Sequence, residues 1–157
     1  MIHLRRDIST YRLADRNDFA VLFDMCKIFH QETDLSDIPF DDSVFAAHLS
    51  WLYESDDCFL GVAERGGKVV GFISGWLYNL YFSKTLSAKT NLWYVLPECR
   101  GGMSGLRLLK MFEIWASGKD AKFLVGGTSS GIAMSRSNKL IERFGYEPVG
   151  SEYRKVL

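Results

Sequence analysis

Apolar residues recur along this chain with two different periods, and the change of period marks predicted helices and strands. From Phe19 to Phe29 they recur every three or four positions, and Asp15 or Asp18 can cap the helix that this spacing predicts. A second helix is predicted over residues 43–54. Shorter apolar runs predict strands at residues 8–13, 58–64, 68–82 and 88–96.

The remaining patterns predict a hairpin, a strongly amphipathic helix and three further elements. Gly66-Gly67, between two of the predicted strands, is typical of a tight hairpin turn. After the glycine-rich turn at 100–105, an apolar stripe runs along one side of a predicted helix that Gly118 can end. A strand at 122–125, a helix at 132–144 and a last strand at 149–156 complete the pattern. The order β-α-α-β-β-β-α-β-α-β predicts an α+β fold, a mixed sheet with helices on both faces, in a single domain over residues 1–157.

Length and composition narrow the class of protein. With 157 residues, 47% hydrophobic and 24% charged, the chain has the size of one globular domain. Its three cysteines are scattered, which argues against a disulfide framework or a zinc site and favours a reducing, cytoplasmic location. The first six residues lack the apolar run of a signal peptide, and the apolar stretch 69–82 is too short to span a membrane.

Charge is distributed unevenly although the net charge is zero. No lysine or arginine occurs between Lys27 and Arg65, a window that holds nine acidic residues. From Arg65 onward there are 14 basic and six acidic residues. One part of the chain is therefore suited to cations and the other to anions, although helix capping and solvated loops also account for several of the acids.

A glycine-rich turn between a strand and a helix carries the most specific signal. The strand ends in Val95-Leu96-Pro97, and Arg100-Gly101-Gly102 and Gly105 follow before the amphipathic helix. Such a turn lets the backbone approach a ligand and directs free N–H groups at one point, which favours an anion such as pyrophosphate. The dinucleotide pattern G-x-G-x-x-G is absent, and so is the Gly-Lys-Ser/Thr that the phosphate loop of ATP- and GTP-cleaving enzymes needs.

The spacing V-x-P-x-x-R-G-x-x-x-G resembles the coenzyme A loop of the GNAT N-acetyltransferase superfamily. Arg100 and Gly105 match its outer positions, while Met103 stands where the middle glycine is usual. A second similarity, Leu140-Ile141-Glu142-Arg143-Phe144-Gly145-Tyr146, lies near the end of the chain. The predicted element order is also that of the GNAT fold, and compact bacteriophage and bacterial acetyltransferases look especially similar.

The resemblance implies acetyl-coenzyme A as the cofactor and an amine of a small molecule or protein as the acceptor. The loop would wrap the pyrophosphate, the pantetheine arm would pair with the end of the strand, and the Val95 amide would face the acyl oxygen. Arg107 and Lys110 could reach the ribose phosphate, although a solvated helix stripe also explains them. The implied cofactor-binding residues are Tyr94, Val95, Leu96, Arg100, Gly101, Gly102, Met103, Ser104, Gly105 and Leu106.

The resemblance leaves the proton-transfer groups open. Ile141 occupies the position where the family commonly has the tyrosine that protonates the leaving sulfur. Ser137 or Asn138, on the same helix, could replace it, and Tyr146 and Tyr153 are further candidates. The strand 88–96 has no carboxylate that could act as the base, and only Asn91 as a polar side chain near its middle. A water chain or an acid from the 32–42 segment would therefore remove the amine proton. Histidine as a residue type has a suitable pKa, but His30 and His48 each lie on a predicted helix and are expected to be surface or half-buried residues.

Two classes of function remain. The first is an N-acetyltransferase, or a transferase of a longer acyl group, whose acceptor is cationic if the acids of 32–42 border its cleft. The second is a GNAT-fold binding or inhibitor protein without catalysis, favoured by Ile141 and Met103. Nucleic-acid binding is not expected, because no predicted helix presents a dense basic face. A homodimer is compatible with both classes.

Overall fold

A five-stranded sheet forms the centre of the computed structural model, which describes residues 9–127, 131–132 and 134–157. Its strand order is β1-β2-β3-β4-β5, antiparallel through β4, with β5 parallel to β4. The strands are β1 Thr10–Leu13, β2 Cys58–Arg65, β3 Lys68–Asn79, β4 Leu86–Val95 and β5 Phe123–Val125. The α-helices of the described part are α1 Phe19–Glu32, α2 Asp42–Glu54, α3 Ser104–Gly118 and α4 Met134–Arg143.

Helices cover both faces of the sheet, as the sequence predicts. On one face α1 and α2 pack Leu22, Met25 and Leu49 against Phe72 and neighbouring strand residues. On the other face α3 packs its apolar stripe against a second cluster, which contains Phe59, Ile73, Ala88, Leu108, Leu109 and Phe112. This confirms the mixed α+β fold and the amphipathic orientation of α3.

The turns and caps also follow the local sequence. Asp15 accepts the backbone N–H of Asn17 and caps a short 3₁₀ turn that leads into α1. Asp41 accepts the N–H groups of Ser43 and Val44 at the start of α2. Gly66 and Gly67 join β2 to β3 with φ of 57° and 76°, a left-handed conformation that glycine adopts without strain.

Two predicted strands differ from the structure. No strand forms over the predicted range 149–156, where Val149, Tyr153 and Val156 are almost fully exposed and therefore bury no face of a sheet. The strand predicted to reach residue 82 ends at Asn79, because the chain turns and leaves Tyr81 exposed. The predicted start of the first strand at Ile8, the N-terminal six residues and Thr128–Ser130 of the second glycine loop lie outside the described residues.

No helix in the described ranges is both long and apolar enough to cross a membrane.

Candidate active site

Within the described residues, the later part of β4 has an open sheet edge. The parallel strand β5 pairs only with Ser87, Ala88 and Lys89, at the beginning of β4. At the other end, the Leu96 N–H donates to the Val70 carbonyl on β3. Because alternate residues of an antiparallel ladder face opposite neighbours, the N–H and C=O of Val95 face away from β3, toward the open edge. An extended ligand could pair with β4 here.

The glycine-rich turn follows directly from this strand end. Pro97 opens a 3₁₀ turn, and Gly101 adopts a φ of 88° that favours glycine. The first intrahelical bond of α3 runs from the Arg107 N–H to the Met103 carbonyl. The N–H groups of Ser104, Gly105 and Leu106 therefore precede the helical ladder, and no side chain caps them. These amides and the helix dipole favour an anion at this point.

The start of α3 is fixed against β4 by a side-chain contact. The Trp93 indole N–H donates to the Gly105 carbonyl at 3.0 Å. Ser104 and Leu106 are buried on either side of Gly105. Met103, the departure from the family spacing, is 45% exposed, so its side chain is not needed for packing. The turn is thus held in place by α3 and β4, with its glycines on the outside.

Arg100 is engaged within the protein. Its Nε donates to the Val95 carbonyl at 2.8 Å, and its guanidinium forms an ion pair with Glu32 at 2.8 Å. The same guanidinium lies over the Tyr94 ring, whose hydroxyl donates to Glu32. Burial and the Glu32 carboxylate raise the pKa of Tyr94 above its usual value, so this hydroxyl stays protonated. Arg100 therefore links the turn to the end of α1.

A different arginine, Arg136 in α4, lies over the turn. One of its terminal nitrogens lies 3.8 Å from the position that a Cβ would occupy on Gly101. Arg107 instead lies over the Tyr11 ring, and Lys110 pairs with Glu113. Sequence reasoning missed Arg136. The topology could have indicated it. The strands β4 and β5 are parallel neighbours, so the helices that follow them, α3 and α4, begin at the same edge of the sheet.

The candidate acid groups occupy different environments. Ser137 is half-buried and follows Arg136 in α4, Asn138 is exposed, and Ile141 is buried. The Tyr146 hydroxyl donates to Glu113 of α3 at 2.9 Å, and burial with this contact raises the pKa of Tyr146. Tyr153 lies in the exposed C-terminal segment.

Most acids of the 32–42 segment have partners from elsewhere in the chain or at a helix end. Asp34 pairs with Arg154 at 2.9 Å and Asp42 with Lys27 at 3.0 Å. Asp41 caps α2, and Glu32 is held by Arg100 as described above. Asp37 is exposed and has no hydrogen bond or ion pair within the described residues. The uncompensated acidic cluster that the sequence indicates is therefore largely neutralised.

Comparisons with known proteins identify the family and the fold. A family model described as the acetyltransferase (GNAT) family matches residues 22–146. No curated protein matches the chain. A GNAT family acetyltransferase from Staphylococcus aureus has 20% identity and a TM-score of 0.68, over 95% of this chain and 98% of that one.

Two further solved structures share the fold at low identity. The aminoglycoside acetyltransferase AAC(6')-Iy, solved with a bisubstrate analogue containing coenzyme A, is 16% identical, with a TM-score of 0.71 over 95% of this chain and 99% of its own. A ribosomal-protein-alanine N-acetyltransferase from Brucella melitensis is 17% identical, with a TM-score of 0.72 over the same shares of the two chains.

Proposed function

This chain belongs to the GNAT acetyltransferase family, and from that membership we propose that it transfers an acetyl group from acetyl-coenzyme A to a primary amine. The observation that carries the proposal is the glycine turn at the start of α3, placed directly after the free edge of β4. Acetyl-coenzyme A supplies a thioester-activated acetyl group. The residues of this chain would bind the cofactor, stabilise the acyl oxygen and assist proton transfer.

The residues of the turn fit a pyrophosphate group. Three backbone amides precede the α3 ladder. A Cβ built on Gly102 would have no heavy atom within 4 Å, so the turn is open on that side. Arg136 has no hydrogen bond or ion pair within the described part of the chain, and it brings a positive charge to Gly101. Amides, helix dipole and guanidinium together suit a dianionic ligand.

The edge of β4 provides the polar group for the acyl end. The Val95 N–H faces the open edge and can donate to the acyl oxygen, where negative charge develops during transfer. Ser137 or an ordered water would protonate the leaving sulfur, since Ile141 cannot. The amine must lose a proton before it attacks, because a lysine-like amine with a pKa of about 10.4 is mostly charged at neutral pH.

The melting temperature with and without acetyl-coenzyme A tests cofactor binding. A ligand that binds only the folded state at 100 times its Kd stabilises the protein by about 2.7 kcal/mol. We therefore expect a clear rise of the melting temperature that increases with concentration. No shift at millimolar acetyl-coenzyme A would contradict the assignment of the turn.

A second candidate function is a GNAT-fold binding or inhibitor protein that has lost catalysis. Ile141 favours it, because a buried apolar side chain stands where the family commonly places the acid. Cofactor-dependent stabilisation without turnover of any amine would support this alternative over the transferase.

Arg136 supplies the first prediction for cofactor affinity. Arg136→Gln removes the positive charge beside Gly101, and a hydrogen bond to a charged group is worth about 1.5–3 kcal/mol. At this exposed position we expect the Kd for coenzyme A to rise about tenfold. Arg100→Gln is the matched control, and its effect should be smaller because Glu32 already neutralises Arg100.

Calorimetric titration with coenzyme A and with dephospho-coenzyme A distinguishes a contact to the pyrophosphate from one to the ribose phosphate, because dephospho-coenzyme A lacks only the latter. A contact to the pyrophosphate predicts the same loss for both ligands in Arg136→Gln. A loss confined to coenzyme A would place Arg136 at the ribose phosphate, and an equal or larger effect of Arg100→Gln would reverse the assignment.

We propose a cationic acceptor, supported by the charge that Asp37 leaves unpaired in the segment 32–42 between α1 and α2. Asp37 is the exposed acid with no partner in the described part of the chain. Asp37→Asn should raise the KM for a polyamine such as spermidine about twofold to fivefold at low salt, since exposed charge pairs contribute up to about 1 kcal/mol.

The salt dependence of the same KM provides the check. At 1 M salt the Debye length falls to about 3 Å, and the difference between wild type and Asp37→Asn should disappear. Asp34→Asn is the control, because its charge is already paired with Arg154. A KM that responds neither to salt nor to Asp37→Asn would leave these acids as solvated loop residues and helix caps.

A further inference from the structure

His48 on α2 makes a polar contact across to β4. Its Nε2 lies 2.8 Å from the side-chain amide of Asn91. The β3–β4 register shifts between Ile73 and Gly75, where the Leu92 N–H donates to the Ser74 hydroxyl in place of a regular ladder bond. Asn91 lies at this irregularity, beyond the last β4 residue that pairs with β5. The contact therefore holds an imidazole at the open edge of β4.

The ring is also held by aromatic neighbours. His48 packs against Trp51 with centroids 5.6 Å apart and against Phe45 at 6.4 Å. It forms part of the wall of a pocket of about 340 Å³ between α1 and α2, which is lined mainly by apolar and aromatic side chains, among them Ile38, Phe40 and Val44. Since aromatic faces attract cations, this pocket suits an amine that carries apolar groups.

Resting on the proposed transferase function, we propose that His48 is the base that removes a proton from the acceptor ammonium, and that Asn91 is its positioning residue. The Asn91 amide can turn by half a rotation so that its oxygen accepts the Nε2 proton. Nδ1 then carries the free lone pair. Asn91 and Val95 lie four residues, about 13 Å, apart along the strand, so the proton reaches Nδ1 through a chain of waters rather than directly.

The transfer balances with this assignment. His48 takes one proton from the ammonium, and the amine nitrogen forms a bond to the acyl carbon as the carbon–sulfur bond breaks. Of the two remaining nitrogen protons, one stays on the amide product. The other passes to Ser137 or the ordered water, which gives its own proton to the departing thiolate. His48 then releases its proton to solvent, so no oxidant, reductant or further reactant is needed.

The electrostatic surroundings favour the neutral ring. Burial lowers the pKa of His48 below its ordinary value of 6.5. The charged or titratable groups around it are His30 and Asp41, which line the same pocket, and Lys89, which lies over Trp76 next to Trp51. Asp41 is bound to Ser43 and to the first amides of α2. At neutral pH the ring is therefore ready to accept a proton.

The test uses His48→Gln and His48→Ala, with Ser50→Ala, on α2 but outside the pocket lining, as the control. We expect kcat to fall about 100-fold in both His48 variants, the low end for loss of a general base. The Kd for acetyl-coenzyme A and the melting temperature should stay close to wild type. Wild type and Ser50→Ala should show an acid limb in kcat below pH 6.5, which both His48 variants lose.

Chemical rescue distinguishes a base from a structural contact. Added imidazole should restore part of the kcat of His48→Ala and none of that of Asn91→Ala, whose kcat should fall about tenfold. If wild type turns over no amine from a panel of spermidine, a lysine peptide and an aminoglycoside, the transferase proposal itself fails. His48 is not the base if wild type is active and both His48→Gln and His48→Ala keep the wild-type kcat and the wild-type acid limb. For His48→Ala this comparison is made without added imidazole.

Discussion

Gly105→Glu should remove measurable binding of acetyl-coenzyme A while the protein stays folded. Gly105 is the second residue of α3, and its amide is among those that precede the helical ladder. A Cβ there would meet Trp93 at 3.6 Å, an ordinary van der Waals contact, and its backbone φ is not left-handed. The new carboxylate would lie near the helix N-terminus, which stabilises the helix, and close to the proposed phosphate position.

The expected size follows from electrostatics. Two unit charges about 4 Å apart near a protein surface interact by about 4 kcal/mol, and every 1.4 kcal/mol changes affinity tenfold. We therefore expect the Kd to rise by at least about 100-fold in calorimetric titration.

Gly105→Gln is the matched control for Gly105→Glu, with similar size and no charge, and it should lose much less affinity. The Trp93 contact to the Gly105 carbonyl should persist in both variants because it uses the backbone. A folded Gly105→Glu variant with wild-type affinity would rule out the turn as the phosphate site.

Ser137→Ala should lower turnover with little change in cofactor affinity. Loss of a general acid costs about 10²–10⁴-fold in rate, and Ser137 is the half-buried hydroxyl one turn before Ile141 on α4. The measurement is kcat together with the Kd for acetyl-coenzyme A. A reduced kcat at unchanged Kd is the expected result.

Tyr146→Phe is the comparison that can contradict this assignment. It removes the hydrogen bond to Glu113 and should reduce the free energy of unfolding by about 1 kcal/mol. If Ser137→Ala keeps full activity while Tyr146→Phe or Tyr153→Phe loses it, the acid is a tyrosine and the α4 assignment is wrong.

Local patterns predicted most of the fold. The apolar spacing of α1, α2 and α3, the glycine pair before β3 and the Val-x-Pro-x-x-Arg-Gly turn each depend on neighbours within a few residues. The prediction of a last strand over residues 149–156 was wrong. A strand needs a neighbouring strand to pair with, and the alternation of apolar and polar residues in 149–156 does not show whether β5 offers a free edge. The described segment buries none of its large apolar side chains.

The candidate site was less predictable because its decisive contacts join residues far apart in sequence. Arg100 matches the family spacing, yet its charge is balanced by Glu32, 68 residues earlier. Asn91 was recognised as a polar residue near the middle of its strand. The sequence around it does not indicate that His48, 43 residues earlier, lies against it. Charge counts likewise indicated an uncompensated acidic cluster, whereas Lys27 and Arg154 form ion pairs with Asp42 and Asp34 of that cluster.

The central claim is that this chain transfers acetyl groups to amines. Release of free thiol from acetyl-coenzyme A, measured across the amine panel and confirmed by the added mass of an acetyl group on the acceptor, tests it most directly. We expect amine-dependent thiol release that is lost in Gly105→Glu and strongly reduced in Ser137→Ala and His48→Gln. Tight binding of acetyl-coenzyme A with no amine-dependent release from any acceptor would contradict it, and would leave a cofactor-binding protein of the same fold.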